Sequence, residues 1–211
     1  LLSIGFDVDI AGVIPTPGIA YLTKTYDYLL GVEISASHNP YEYNGIKFFS
    51  SQGFKLPDEV ENEIESIILD DIKLYKDLTG DKIGRINRSD KFVNIYKNYL
   101  KNLVKMDLKG KKIALDIGNG ALYDIAKEVL ESYGAEVIVI NDKPNGKNIN
   151  DNCGSTNPNL IKELVIKEKA LMGMSFDGDA DRIIAVDEKG SIVDGDHILA
   201  ICASSVSYTH L

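Results

Sequence analysis

Apolar positions along the chain fall into two rhythms, and the switch between them lays out the elements. Ile4–Asp9 alternates apolar and polar residues with the two-residue period of a strand, then meets a turn at Val13-Ile14-Pro15-Thr16-Pro17-Gly18. Thr16 can cap a helix with Pro17 at its first position, and that helix is predicted to run to about Leu29. Gly31–Ser35 and Ile46–Phe49 read as short strands, the second followed by a glycine-containing hairpin turn over Ser50–Lys55. Helical spacing returns over Pro57–Leu69, where Ile64, Ile67 and Ile68 share a face, and over Ser89–Val104. In the second of these helices Phe92, Ile95, Tyr96, Tyr99, Leu100 and Leu103 form a core stripe. Between the two helices Asp70–Arg88 is polar, carries Gly80 and Gly84, and reads as a joint between domains.

From Lys112 onward the pattern is a plain α/β alternation. Lys112–Leu115 is a predicted strand, Asp116–Gly120 a turn, and Ala121–Tyr133 a helix closed by Gly134. Glu136–Ile140 is a strand, Asn157-Pro158 opens a helix to about Glu168, and Gly173–Phe176 and Ile183–Val186 are strands around an acidic loop. Lys189-Gly190 turns into Ile192-Val193, and a last helix begins near Gly195. No internal repeat or low-complexity tract interrupts this order.

Length and composition narrow the class. A chain of 211 residues suggests one or two domains, and 44% hydrophobic content is ample for a core. The 32 acidic against 23 basic residues give a net charge of −9, which argues against a nucleic-acid or membrane-surface partner but leaves an anionic small molecule open. The longest apolar runs fall far short of the roughly 18 residues needed to cross a bilayer. No secretory leader is seen, and Cys153 and Cys202 are isolated, as expected of free thiols in the cytoplasm. The chain opens at Leu1 without Met, and Ser204–Leu211 breaks the helical pattern, so the expectation is a segment of a longer protein with a non-native tail.

Two motifs carry chemistry. Asp177-Gly178-Asp179-Ala180-Asp181-Arg182 sets three carboxylates at alternate positions of a turn, where they can offer three oxygens to one hard cation. An EF-hand would share these first ligands and Glu188, but Arg182 stands where its tight turn needs glycine, and strands flank the loop. Three protein oxygens leave room for phosphate and water, which suits a catalytic Mg²⁺. The other motif is Ala36-Ser37-His38-Asn39-Pro40, a polar turn after a strand that presents the Ser37 hydroxyl. Lys47, on the following strand, is a candidate base or phosphate ligand. A nucleophilic hydroxyl and a cation site are what phosphoryl transfer requires, and the two motifs are expected to meet across a cleft between two units. Gly118-Asn119-Gly120 lies between a strand and a helix as a dinucleotide fingerprint would, with Asp142 as the ribose acid, but its third glycine position is Tyr123. These glycines read as turn residues, with a dehydrogenase as an alternative and a non-catalytic metal- or phosphate-binding α/β protein as another.

Together the motifs resemble those of the α-D-phosphohexomutase superfamily. Gly31–Phe49, GVEISASHNPYEYNGIKFF, resembles its active-serine loop, and DGDADR its metal loop. GVIPTPG, NINDNCGST and DGDADRIIAVDEKGSIVDGD resemble most closely the bacterial subgroup that acts on glucosamine phosphates. The resemblance implies mixed-sheet α/β domains: the later part of a first domain over residues 1–82, a second over 83–190, and the start of a third over 191–211 with the non-native tail. It also implies a phosphorylated Ser37 that, with Asp177, Asp179 and Asp181, holds Mg²⁺. His38 and Lys47 would sit at the reacting hydroxyl, Arg182 would bridge toward the phosphoserine, and Ser35 would be a supporting residue. The implied reaction interconverts glucosamine 6-phosphate and glucosamine 1-phosphate through a 1,6-bisphosphate, with phosphomannomutase/phosphoglucomutase as the alternative. The family's sugar-recognition and distal phosphate loops have no match here, so residues 1–211 alone are expected to be inactive.

Overall fold

The computed structural model describes residues 1–70 and 75–207, which form two compact units interleaved along the chain. Among the described residues, the first comprises 1–14, 18–33, 47–70 and 75–96, and the second 15–17, 34–46 and 97–207.

In the first unit, β1 (Val8–Ile10) pairs in parallel with β4 (Ile86–Arg88); β2 (Leu30–Ser35) pairs with β3 (Gly45–Ser50), and Ile34, Ser35, Gly45 and Ile46 of this pair are counted with the second unit. The stretch read as a polar joint is therefore partly a strand. Its backbone is tied down by Leu78 N–H to the Ser3 carbonyl and by Arg85 N–H to Asp7 Oδ1. The sequence before β1 is a short 3-10 helix, Leu2–Ile4, in place of the expected strand start. Helix α1 (Thr16–Thr25) stops before the predicted Leu29, and its Leu22 is buried, as are Ile14, Phe49, Phe92 and Tyr96 of this unit. Helix α2 (Asp58–Leu69) buries no residue, so the expected face is only half-covered at Ile64 and Ile67 and exposed at Ile68. Helix α3 (Lys91–Leu103), whose residues from Lys97 on are counted with the second unit, follows the predicted stripe at Phe92 and Tyr96 but leaves Leu103 exposed.

The second unit is built on a five-stranded sheet in the order β6-β5-β7-β8-β9. Its strands are β5 (Lys112–Asp116), β6 (Glu136–Ile140), β7 (Met172–Phe176), β8 (Ile183–Asp187) and β9 (Ile192–Val193). β5 is parallel to β6 and β7, whereas β8 runs antiparallel to β7 and β9. Strand periodicity gives β5 two different faces. Ile113, Leu115 and Ile117 pack with Val137 and with Ala126 and Leu130 of α4 (Ala126–Ser132). Ala114 packs with Val186 and with Ile161 and Val165 of α5 (Asn159–Glu168). Helix α4 is shorter than predicted, because residues 121–125 form turns. Helix α6 (Gly195–Ser207) runs through residues 204–207, where the sequence reading had the helical pattern break; residues 208–211 lie outside the described residues. The Ser204 hydroxyl is accommodated by donating to the Ala200 carbonyl one turn back. Among the described residues no helix is long and apolar enough to cross a membrane.

This topology positions the site. From β5 the chain crosses to β6 on one side, then passes to β7 on the other side and on to β8. The loops that leave the carboxyl ends of β5 and β7 thus diverge, and such a point is where open α/β sheets bind ligands.

Candidate active site

The acidic loop begins where β7 ends. Asp177 and Asp179 are buried, at 1% and 2% exposure, while Asp181 is exposed. Ala180 turns the loop with a φ of 55°, and its N–H donates to the Asp177 carbonyl. One carboxylate oxygen from each aspartate lies within 4.8 Å of the others. Ligands on opposite sides of Mg²⁺ are about 4.2 Å apart, so a small side-chain rotation gathers all three onto one ion. Asp177 Oδ2 is buried without a hydrogen-bond partner. Burial, then the charges of Asp179 and Asp181, push the Asp177 carboxyl up to about 6, against the opposing Arg182 amide. A mutually repelling oxygen cluster, buried at Asp177 and Asp179 and open at Asp181, with an unsatisfied acceptor, fits a hard divalent cation. Arg182 contributes chiefly its backbone N–H, which donates to Asp177 Oδ1 at 3.2 Å; its exposed side chain has Nε 3.9 Å from Asp181 Oδ1.

The serine turn, residues 34–46, falls in the same compact unit as this loop. Gly178 N–H donates to the Ser37 carbonyl at 3.1 Å. A Cβ on Gly178 would lie 2.7 Å from that oxygen, so the close approach requires glycine. Ser35 Oγ donates to Asp179 Oδ2 at 2.9 Å and accepts Ser37 N–H at 2.8 Å. Thr16 N–H donates to the Asp179 carbonyl. Ser37 itself is half-buried with a φ of 52°. His38 is half-buried, and its Nδ1 is enclosed without a hydrogen-bond partner. Lys47 is half-buried on β3 and belongs to the first unit.

Three supporting residues were not foreseen from sequence. Asn150 donates through Nδ2 to the carbonyls of Ser37 and Asn39, at 2.7 and 3.0 Å. Asp116, fully buried at the end of β5, accepts from Gly118 N–H and Asn141 Nδ2 through Oδ1 and from Gly154 N–H through Oδ2. Asn119 joins the same framework, donating to the Asn148 carbonyl and accepting Lys143 N–H. The position of Asp116 at the carboxyl end of a central strand was a usable signal; for Asn150, inside an asparagine-rich run, only the fold reveals the partner.

The Gly118–Gly120 turn buttresses the acidic loop. Ala121 N–H donates to the Gly178 carbonyl, and a Cβ on Gly120 would lie 2.4 Å from that oxygen. Helix α4 begins only at Ala126, so the turn lacks the helix N-terminus that a dinucleotide pyrophosphate needs.

Comparison with known proteins follows the same lines. Residues 1–74 match domain I, and residues 90–190 domain II, of the phosphoglucomutase/phosphomannomutase alpha/beta/alpha family. The chain belongs to the phosphoglucomutase/phosphomannomutase family. It is 50% identical over 210 residues to a phosphoglucosamine mutase of Alkaliphilus metalliredigens, covering 100% of this chain and 47% of that protein. It is 55% identical over 201 residues to a phosphoglucosamine mutase of Alkaliphilus oremlandii, covering 95% and 45%. The chain therefore spans a little under half the length of these relatives. A phosphoglucomutase/phosphomannomutase family protein of Burkholderia thailandensis shares the fold, with a TM-score of 0.79 and 23% identity over 99% of this chain and 46% of that one.

Proposed function

We propose that this chain supplies the nucleophile and cation site of an isomerase that interconverts glucosamine 6-phosphate and glucosamine 1-phosphate. The observation that carries the reading is the docking of the Ser37 turn on the acidic loop through Gly178 N–H and Ser35 Oγ. Relatives named phosphoglucosamine mutase, about half identical along the chain, support the choice of sugar.

In this reading Ser37 carries a phosphoryl group. The substrate's 1-hydroxyl attacks it, the bond from phosphorus to the serine oxygen breaks, the proton of the attacking hydroxyl passes to a base, and the departing Ser37 oxygen takes up a proton in its turn. His38 and Lys47 are the candidates for that base and for orienting the phosphate. The resulting 1,6-bisphosphate turns over and returns its 6-phosphate to Ser37, leaving glucosamine 1-phosphate. Asp177, Asp179 and Asp181 would hold Mg²⁺ together with the serine's phosphate. When bound, Mg²⁺ supplies charge neutralisation beside a phosphoserine that adds about −1.5 to −2 charge. Arg182 would offset charge on the moving group. The reaction is assigned to the cytoplasm, in keeping with the unpaired Cys153 and Cys202.

The test uses the full-length protein with glucosamine 6-phosphate, Mg²⁺ and a catalytic amount of 1,6-bisphosphate. Wild type is expected to turn over, and Ser37→Ala to lose at least about 1,000-fold in kcat, since no other group can carry the phosphoryl. Wild-type rates in Ser37→Ala would end the covalent reading, and preference for mannose 6-phosphate would move the protein to the phosphomannomutase branch. Residues 1–211 alone are expected to show little turnover, because remote binding of the second phosphate orients the substrate.

A further inference from the structure

Ser35 stands between two parts of the site that chemistry treats separately. Its hydroxyl has one proton, directed to Asp179 Oδ2 at 2.9 Å. That bond aims a lone pair at the Ser37 N–H, 2.8 Å away. The Ser37 backbone is in the left-handed region, which an L-residue holds when its flanking groups are fixed from outside. Gly178 N–H and Asn150 Nδ2 fix the Ser37 carbonyl, and Ser35 Oγ holds the amide. The Ser37 backbone sets the direction in which its own hydroxyl projects.

We infer that Ser35 is a positioning residue that couples the state of the Asp179 carboxylate to the orientation of the Ser37 hydroxyl. The inference rests on the reading of Ser37 as nucleophile and of the aspartate loop as cation site. An ion on Asp179 fixes the plane of that carboxylate. The carboxylate then fixes the Ser35 hydroxyl, which fixes the Ser37 amide. The linkage is reciprocal, so a well-set serine turn also holds Asp179 in its ligating geometry. Alanine at position 35 cuts both bonds, whereas threonine keeps the hydroxyl on the same carbon.

The experiment uses full-length protein without sugar. Mn²⁺ titrated by calorimetry should bind about tenfold more weakly to Ser35→Ala and with near wild-type affinity to Ser35→Thr. In protein labelled with ¹⁵N-serine, the Ser37 amide resonance should shift on adding Mg²⁺ in wild type and Ser35→Thr and stay fixed in Ser35→Ala. Should Ser35→Ala not fold, Ser35→Cys keeps the size, weakens both bonds and gives the same readout. A Ser37 amide that still follows Mg²⁺ in the alanine or cysteine variant overturns the coupling. Failure of the underlying reading is distinguishable: Ser37→Ala would then turn over normally, while the Mg²⁺-dependent amide shift would persist in the wild type.

Discussion

Ala180 shows how tightly single residues in this loop are constrained. Its φ of 55° places a Cβ-bearing residue where glycine is at ease, at a cost of about 1 kcal/mol. Ala180→Gly should therefore raise the unfolding free energy by roughly 0.5–1 kcal/mol, read as a higher urea midpoint. An unchanged or lower midpoint would mean that the loop stores no strain there. At this scale the sequence was most legible where residue type itself carries chemistry. Three aspartates at alternate positions foretell a cluster of carboxylate oxygens, and these do lie within 4.8 Å of one another. Asn150 was illegible for the converse reason: an amide bonding two carbonyls is defined only by partners more than a hundred residues away.

Among the elements, β5, β6, β7 and β8 stood out because burial on both faces gives short, dense apolar runs. Helix ends were read less well: Ala121–Ile125 has helical spacing, but Ala121 is committed to the Gly178 carbonyl, and the chain turns there before α4. An unforeseen tie joins α3 and α4. Lys97 is 6% exposed, and its Nζ donates to Asp124 Oδ2 and Glu128 Oε2 at 2.9 and 2.8 Å, while Lys101 Nζ reaches Glu128 Oε1. The bond from Lys101, then that from Lys97, hold the Glu128 carboxyl down at about 2, below its ordinary 4.5. A lowered folded-state value gives stability that is complete above about 4.5 and lost as pH falls through about 2. Half of the Glu128 side chain faces solvent, so screening limits the contribution to about 1 kcal/mol. Glu128→Gln should lower the urea midpoint at pH 7 and flatten its decline between pH 4.5 and 2. A variant as acid-sensitive as wild type would remove Glu128 from the acid response.

At the scale of the whole molecule, both site motifs fall in the second unit although one lies early in the sequence. Proximity along the chain gives no hint of this, because residues 34–46 leave and re-enter the first unit's stretch of sequence. If Mg²⁺ binds the aspartate loop, its stabilisation acts on the segments that hold that loop. Hydrogen exchange of residues 1–211 should slow on adding Mg²⁺ in peptides from 34–46 and 114–183, with little change in 47–70 and 75–96. Equal slowing in both sets would place the ion elsewhere.

The interleaving also sets a timetable for synthesis. The serine turn emerges from the ribosome before most of the first unit, yet Asn150 is 113 residues beyond Ser37, and Asp179 is 144 beyond Ser35. At about 5–20 residues per second, the turn waits roughly 7–30 s for its acids. Closing so long a loop comes late in folding as well, since its entropy must be met before its contacts form. A half-made chain carries the Ser37 turn with neither Asn150 nor Asp179 to hold it, so the turn takes its final form only after the scaffold around it.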